Sequence, residues 1–233
     1  MWFQDHAQIG TFALPYGSLI HMISNTPNYA VIVVSPVSID FQAITNQKRY
    51  PVDTAEKLND PIQVYLMNLR DGTVMDGFDV KDTSLAFATH HINAWEESQD
   101  IVFDIVTMPW DKNAHFMDLD EVLHHTESND EAAKTVVKRI TLNLVTQGVK
   151  VEDWPNKLGI PILTTMDYPV INPAFAGIKN QFVYGHASID FWKQTLIKKD
   201  LKDSSKDKTW SRASHYPGEM FFIPKSGLHY TFP

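Results

Sequence analysis

Ten histidines and no cysteines set the chemistry available to this chain. Thiolate metal sites, disulfides and cysteine nucleophiles are excluded, which leaves imidazole as the soft metal ligand. The most suggestive pair is His90-His91, between the apolar run that ends at Ala88 and the run Ile101 to Val106. Side chains alternate across a strand, so the two imidazoles are expected on opposite faces. His90 shares its face with the small residues Ala86 and Ala88, which leave room for something other than a side chain. His91 shares its face with Leu85, Phe87 and Thr89 and reads as packed. His90 is therefore the functional candidate. No His-Glu-x-x-His, His-x-His, glycine-rich phosphate loop or Gly-x-Ser-x-Gly elbow is present. On spacing alone, His21 and His90 read as ordinary histidines.

The elements that would position these residues are short strands. Tyr29 to Val34 is β-branched and reads as a strand, with Asn25 to Asn28 as the turn before it and His21 on a preceding strand. Ile62 to Met67 alternates, Asp71-Gly72 is a turn, and Thr73 to Phe78 is the partner. The His90 strand leads through a Glu96-Glu97 turn into its return strand. Val137 to Val145, Gln181 to Tyr184, Thr209 to Arg212 and Met220 to Ile223 continue the series. Two short helices are expected, at Thr54 to Leu58 and at Met117 to His125, where Leu119, Val122 and Leu123 have helical spacing. Lys198 to Lys208 reads as a solvated hairpin loop. The pattern predicts an all-β sandwich, barrel or propeller. A net charge of −8 argues against nucleic acid as a partner. The sequence has neither a transmembrane run nor a signal-peptide pattern, so a cytoplasmic location is expected.

Four separated segments, in order, resemble the carotenoid oxygenase family, which includes the animal carotene-cleaving oxygenases and the retinal-pigment-epithelium isomerohydrolase. His21-Met22-Ile23-Ser24-Asn25-Thr26-Pro27-Asn28-Tyr29 is similar to a His-Ser-Phe-x-x-Thr-x-Asn-Tyr segment. His90-His91-Ile92-Asn93-Ala94-Trp95-Glu96 is similar to His-His-x-Asn-x-Tyr-Glu. Asp167-Tyr168-Pro169-Val170-Ile171-Asn172, followed by Phe182 to Gly185, resembles Glu-Phe-Pro-x-Ile-Asn and Tyr-x-Tyr-Gly. Tyr216-Pro217-Gly218-Glu219 to Pro224 resembles Tyr-Pro-x-Glu-Pro-x-Phe-Val-Pro.

The resemblance implies a seven-bladed β-propeller, of which residues 1–233 form a central fragment of several blades. It implies Fe(2+) held by four histidines from separate blades, with His21 and His90 as two of them. Asp167 and Glu219 would orient ligand imidazoles by hydrogen bonding to their outer nitrogens. Asp167 stands where the family has glutamate, one methylene longer, so reaching an imidazole calls for a shifted backbone or a bridging water. The implied reaction is cleavage of a carotenoid or apocarotenoid C=C bond by O2, the substrate arriving by peripheral membrane contact along a tunnel. Phe87, Trp95, Phe103, Phe175 and Trp192 are candidate tunnel aromatics. The alternatives are a retinyl-ester isomerohydrolase on the same scaffold and a non-catalytic lipid-binding fragment. The family's first and fourth ligand histidines lie outside the segments matched, so the chain alone is expected to hold iron weakly and to be inactive.

Overall fold

The computed structural model describes residues 8–47, 54–82, 85, 87–108, 135–159, 165–188, 194–215 and 217–225. The Met117 to His125 helix, with His124 and His125, and residues Ala86 and Trp192 lie outside them. The strands are β1 (Ser24–Asn25), β2 (Tyr29–Val34), β3 (Val37–Ile39), β4 (Ala55–Lys57), β5 (Ile62–Asn68), β6 (Val74–Val80), β7 (Phe87–Glu97), β8 (Asp100–Met108), β9 (Val136–Asn143), β10 (Val149–Asp153), β11 (Asp167–Val170), β12 (Phe182–Ser188), β13 (Gln194–Asp200) and β14 (Lys208–Trp210). They build three four-stranded antiparallel sheets, ordered β1-β2-β5-β6, β7-β8-β9-β10 and β11-β12-β13-β14, and a two-stranded sheet of β3 and β4. Each four-stranded sheet is a meander, the topology of a propeller blade.

The middle sheet is buried on both faces. One face joins the first sheet in a core of Val31, Val64, Leu66 and Phe78 against Phe103, Ile105 and Ile140. The other joins the third sheet through Ile92, Val106 and Val137 against Met166, Val183 and Ile197. A strand covered on both sides has no polar face to present, so its alternation disappears. In β8 every residue after Asp100 is buried.

Four expectations need correction. Thr54 to Leu58 is not a helix: Ala55–Lys57 is strand, paired with Val37–Ile39. The helix of this region is α1 (Phe41–Gln47). Its start is set by Asp40, whose Oδ1 accepts from the Gln42 and Ala43 amides at 2.9 Å. Met220 to Ile223 is irregular rather than strand, with Phe222 against the Tyr184 ring and Phe221 and Ile223 exposed. His21 precedes its strand, which begins at Ser24. The charged stretch after Lys198 is not simply solvated. Lys199 is fully buried, and its ammonium donates to Asp207 and to the Pro155 carbonyl, each at 2.6 Å. Neither residue type announces this: Asp207 meets Lys199 across the β13–β14 hairpin, and Pro155 arrives from a distant segment.

Candidate metal centre

β7 is the longest strand and carries the histidine pair. Its pairing with β8 is bulged twice, between Ala88 and His90 and between His91 and Asn93. Bulges re-aim side chains, and strict alternation does not hold here: Phe87, Ala88 and Thr89 are all buried. The two histidines still part company. His91 is 5% exposed, lies nearly parallel to the Phe103 ring and has its Nδ1 2.8 Å from the Ser24 hydroxyl. Burial, followed by the neighbouring His90, lowers its pKa to about 4, so it is a neutral, packed imidazole.

His90 opens toward a cluster. Its Nδ1 donates to Asp167 Oδ1 at 2.6 Å. A carboxylate on Nδ1 fixes the tautomer and leaves the Nε2 lone pair free as a donor to a metal. His21 lies edge-on to His90, with ring centroids 5.0 Å apart and planes at 80°. On the other side the Tyr168 ring sits 5.4 Å from His90, and beyond it His186 lies 5.6 Å from Tyr168.

Asp167 reaches His90 directly, without a bridging group. The β11–β12 register shifts between Asp167 and Val170, and Tyr168 has φ +47°. That left-handed backbone is uncommon for a bulky residue and is held by its surroundings. The Tyr168 amide donates to the same Asp167 oxygen at 3.0 Å. Behind it, Gly185 has no room for a side chain: a Cβ would meet Met166 Cγ at 2.5 Å. Glycine here lets the Asp167 strand press against β12. Glu219 is exposed. Burial raises the Tyr168 pKa, and the charges of Asp167 and Glu219 add to the effect.

Sequence reasoning missed Tyr168, Gly185 and His186 as parts of this cluster. His186 is buried with neither ring nitrogen hydrogen-bonded. Tyr168 and Gly185 fall inside the resembling segments, which do not tell their roles, and His186 carries no local signal, because each place is defined by what approaches it from another strand.

Two imidazoles set edge-on at this separation fit one ion. Metal–nitrogen bonds of about 2.1 Å bring ring centres at a right angle to within roughly 4.5 Å of each other. Among the described residues no group of three or more metal-capable side chains converges.

Comparison with known proteins gives consistent results. The family model described as retinal pigment epithelial membrane protein matches residues 3–229. The apocarotenoid-15,15'-oxygenase of Synechocystis sp. is 25% identical over 232 residues, covering 93% of this chain and 42% of that protein. A single-residue variant of the Synechocystis apocarotenoid oxygenase superposes with a TM-score of 0.73 at 23% identity, over 92% of this chain and 43% of that one. A cobalt-substituted form gives 0.72 at 23%, over 90% and 42%. The fold is thus that of a seven-bladed β-propeller, represented by several of its blades. The chain spans less than half the length of these relatives.

Proposed function

The chain belongs to the retinal pigment epithelial membrane protein family of carotenoid oxygenases, and from that premise we propose that residues 1–233 are the propeller portion carrying half the metal centre of an iron(II) enzyme that cleaves a carotenoid or apocarotenoid double bond with O2. His21 and His90 hold the iron through their free ring nitrogens. Asp167 keeps His90 in the tautomer that presents Nε2. Glu219 orients an imidazole in the same way. Iron held by neutral imidazoles keeps its full positive charge and, when bound, supplies the site at which dioxygen is activated beside the polyene.

The protein's own residues do the rest. Met22 and Ile23, both exposed beside His21, and the half-exposed Tyr168 ring give the approach an apolar surface. Such a wall suits a polyene and disfavours water. A substrate of that kind partitions into bilayers, so the enzyme works from the cytoplasm in peripheral contact with a membrane.

One observation carries this reading. Imidazoles 69 positions apart (21 to 90), one in the segment leading into the first sheet and one in the second sheet, come to 5.0 Å, and His90 is clamped by a carboxylate from the third sheet. The test is product analysis of the complete iron-loaded enzyme with an apocarotenoid, the 233-residue portion alone being expected to be inactive. Two carbonyl products with O2 uptake are expected, and both are lost in His90→Ala. Isomerised retinol from a retinyl ester would assign the isomerohydrolase reaction instead. Polyene binding without turnover would make the protein a lipid binder.

A further inference from the structure

The segment bearing His21 has little to hold it in place. β1 pairs with β2 over only two positions, Ser24 with Val31 and Asn25 with Ala30. Met22 and Ile23 are 42% and 52% exposed, so apolar packing contributes little there. Yet the His21 ring is placed against His90. What fixes it is a set of polar bonds from the first sheet to β7.

The centre of that set is Glu96. Its Oε1 accepts from the Thr26 hydroxyl at 2.6 Å and from the Asn28 amide and Nδ2 at 3.1 Å, and its Oε2 accepts from Asn28 Nδ2 at 3.0 Å. Burial opposes the carboxylate's charge, but the bonds from Thr26 and Asn28 outweigh it and lower its pKa. Nearer the cluster, Ser24 meets His91, and the His91 amide donates to Met22 Sδ at 3.3 Å. Asn93 does the same toward the third sheet. Its Nδ2 donates to the Phe175 and Ile178 carbonyls and to Asn180, and its Oδ1 accepts from Gly177.

We propose that Glu96 is a positioning residue for the metal centre: by gripping Thr26 and Asn28 of the first sheet it holds His21 edge-on to His90. The inference rests on the reading that these two imidazoles are ligands. β7 thereby serves as a ruler. Asn93 and His90 fix the distance to the third sheet, and Glu96 fixes the distance to the first.

The test uses the 233-residue chain, cobalt(II) as the metal probe, and the proton NMR contact between the His21 and His90 rings measured without metal. Glu96→Ala loses that ring contact and binds cobalt at least about tenfold more weakly, because several bonds to a charged acceptor disappear together. The His90 Nδ1 proton bound to Asp167 keeps its resonance, since Asn93 holds that side independently. Glu96→Gln with Asn28→Asp restores affinity to within about twofold: the new amide donates to the new carboxylate, and the glutamine oxygen still accepts from Thr26. Thr26→Val, a smaller lesion, gives an intermediate effect in the same two readouts if Glu96→Ala does not fold. An unchanged ring contact and unchanged cobalt affinity in folded Glu96→Ala overturn the proposal. Loss of the ring contact in a chain that takes up no cobalt at all supports the positioning role and refutes the ligand reading.

Discussion

The first and second sheets each deliver a histidine to the same cluster from opening segments of very different build. His90 sits within an eleven-residue strand whose neighbours Ala94, Trp95 and Phe103 are essentially inaccessible. His21 lies ahead of a two-residue strand flanked by exposed Met22 and Ile23. One position is set by the non-directional burial of apolar area. The other is set by a few directional hydrogen bonds, which are net-weak individually but specific in geometry. On the proposed reading, one ligand is fixed by the core and the other can be adjusted without disturbing the core.

The largest test of this contrast is truncation on each side. Trp95 is 2% exposed, its indole donates to Glu97 at 2.8 Å and the Arg139 guanidinium lies 4.9 Å from the ring. Trp95→Ala should cost about 4 kcal/mol, as large-to-small core changes do, whereas Ile23→Ala should cost less than about 0.5 kcal/mol. Urea denaturation midpoints measure both, and similar losses would erase the distinction.

The next test separates the adjacent histidines by pH. His91 has its pKa lowered to about 4 in the fold against 6.5 when free. The unfolded chain therefore binds the proton more readily. The stability this residue contributes is whole above pH 6.5 and is lost as pH falls from 6.5 to about 4, a change of about 3 kcal/mol in all. His91→Phe should flatten that part of the stability–pH curve relative to the parent. An unaltered slope would mean that His91 is not the buried neutral group described.

These contrasts also explain how much was readable in advance. β2, β5 and the β7–β8 hairpin were legible because a strand's periodicity and turn residues are local properties. The start of α1 was not seen, although Asp40 ahead of Phe41 is a cap signal, because the surrounding segment is polar and irregular. Lys199 was misjudged because burial of an ammonium depends on Asp207 across the hairpin and on Pro155 from a distant segment. At the cluster, adjacent histidines could be told apart by their neighbours, but the argument from alternation was undercut by two bulges that leave no mark in the sequence. Resemblance supplied His21, Asp167 and Glu219. It did not supply Tyr168, whose place follows from a left-handed backbone, or the cross-sheet roles of Asn93 and Glu96, whose partners lie some 70 to 90 positions away.

The smallest effect belongs to the residue beside Glu96. Glu97 also reaches out from the end of β7, but to a cation: Lys179 Nζ lies 2.5 Å from its Oε1. Hydrogen bonds from Lys179 and Trp95 lower the Glu97 pKa. Lys179 is 62% exposed and Glu97 44%, so solvent screens the pair, and Lys179→Ala should cost only about 0.5 kcal/mol. That loss should vanish in 1 M salt, where the screening length falls to about 3 Å. Thr26→Val, which removes a short bond from a neutral hydroxyl to Glu96, should cost about 1.5 kcal/mol at any salt concentration. Chemical denaturation of the two variants at low and high salt distinguishes them. A salt-insensitive Lys179→Ala would show that hydrogen-bond geometry rather than charge holds Glu97, and a salt-sensitive Thr26→Val would show that charge contributes to the hold of Glu96. The two adjacent glutamates reach opposite sheets by different means: Glu97 through an exposed cation, and Glu96 mainly through short hydrogen bonds from Thr26 and Asn28, with the Arg70 charge as a smaller contribution.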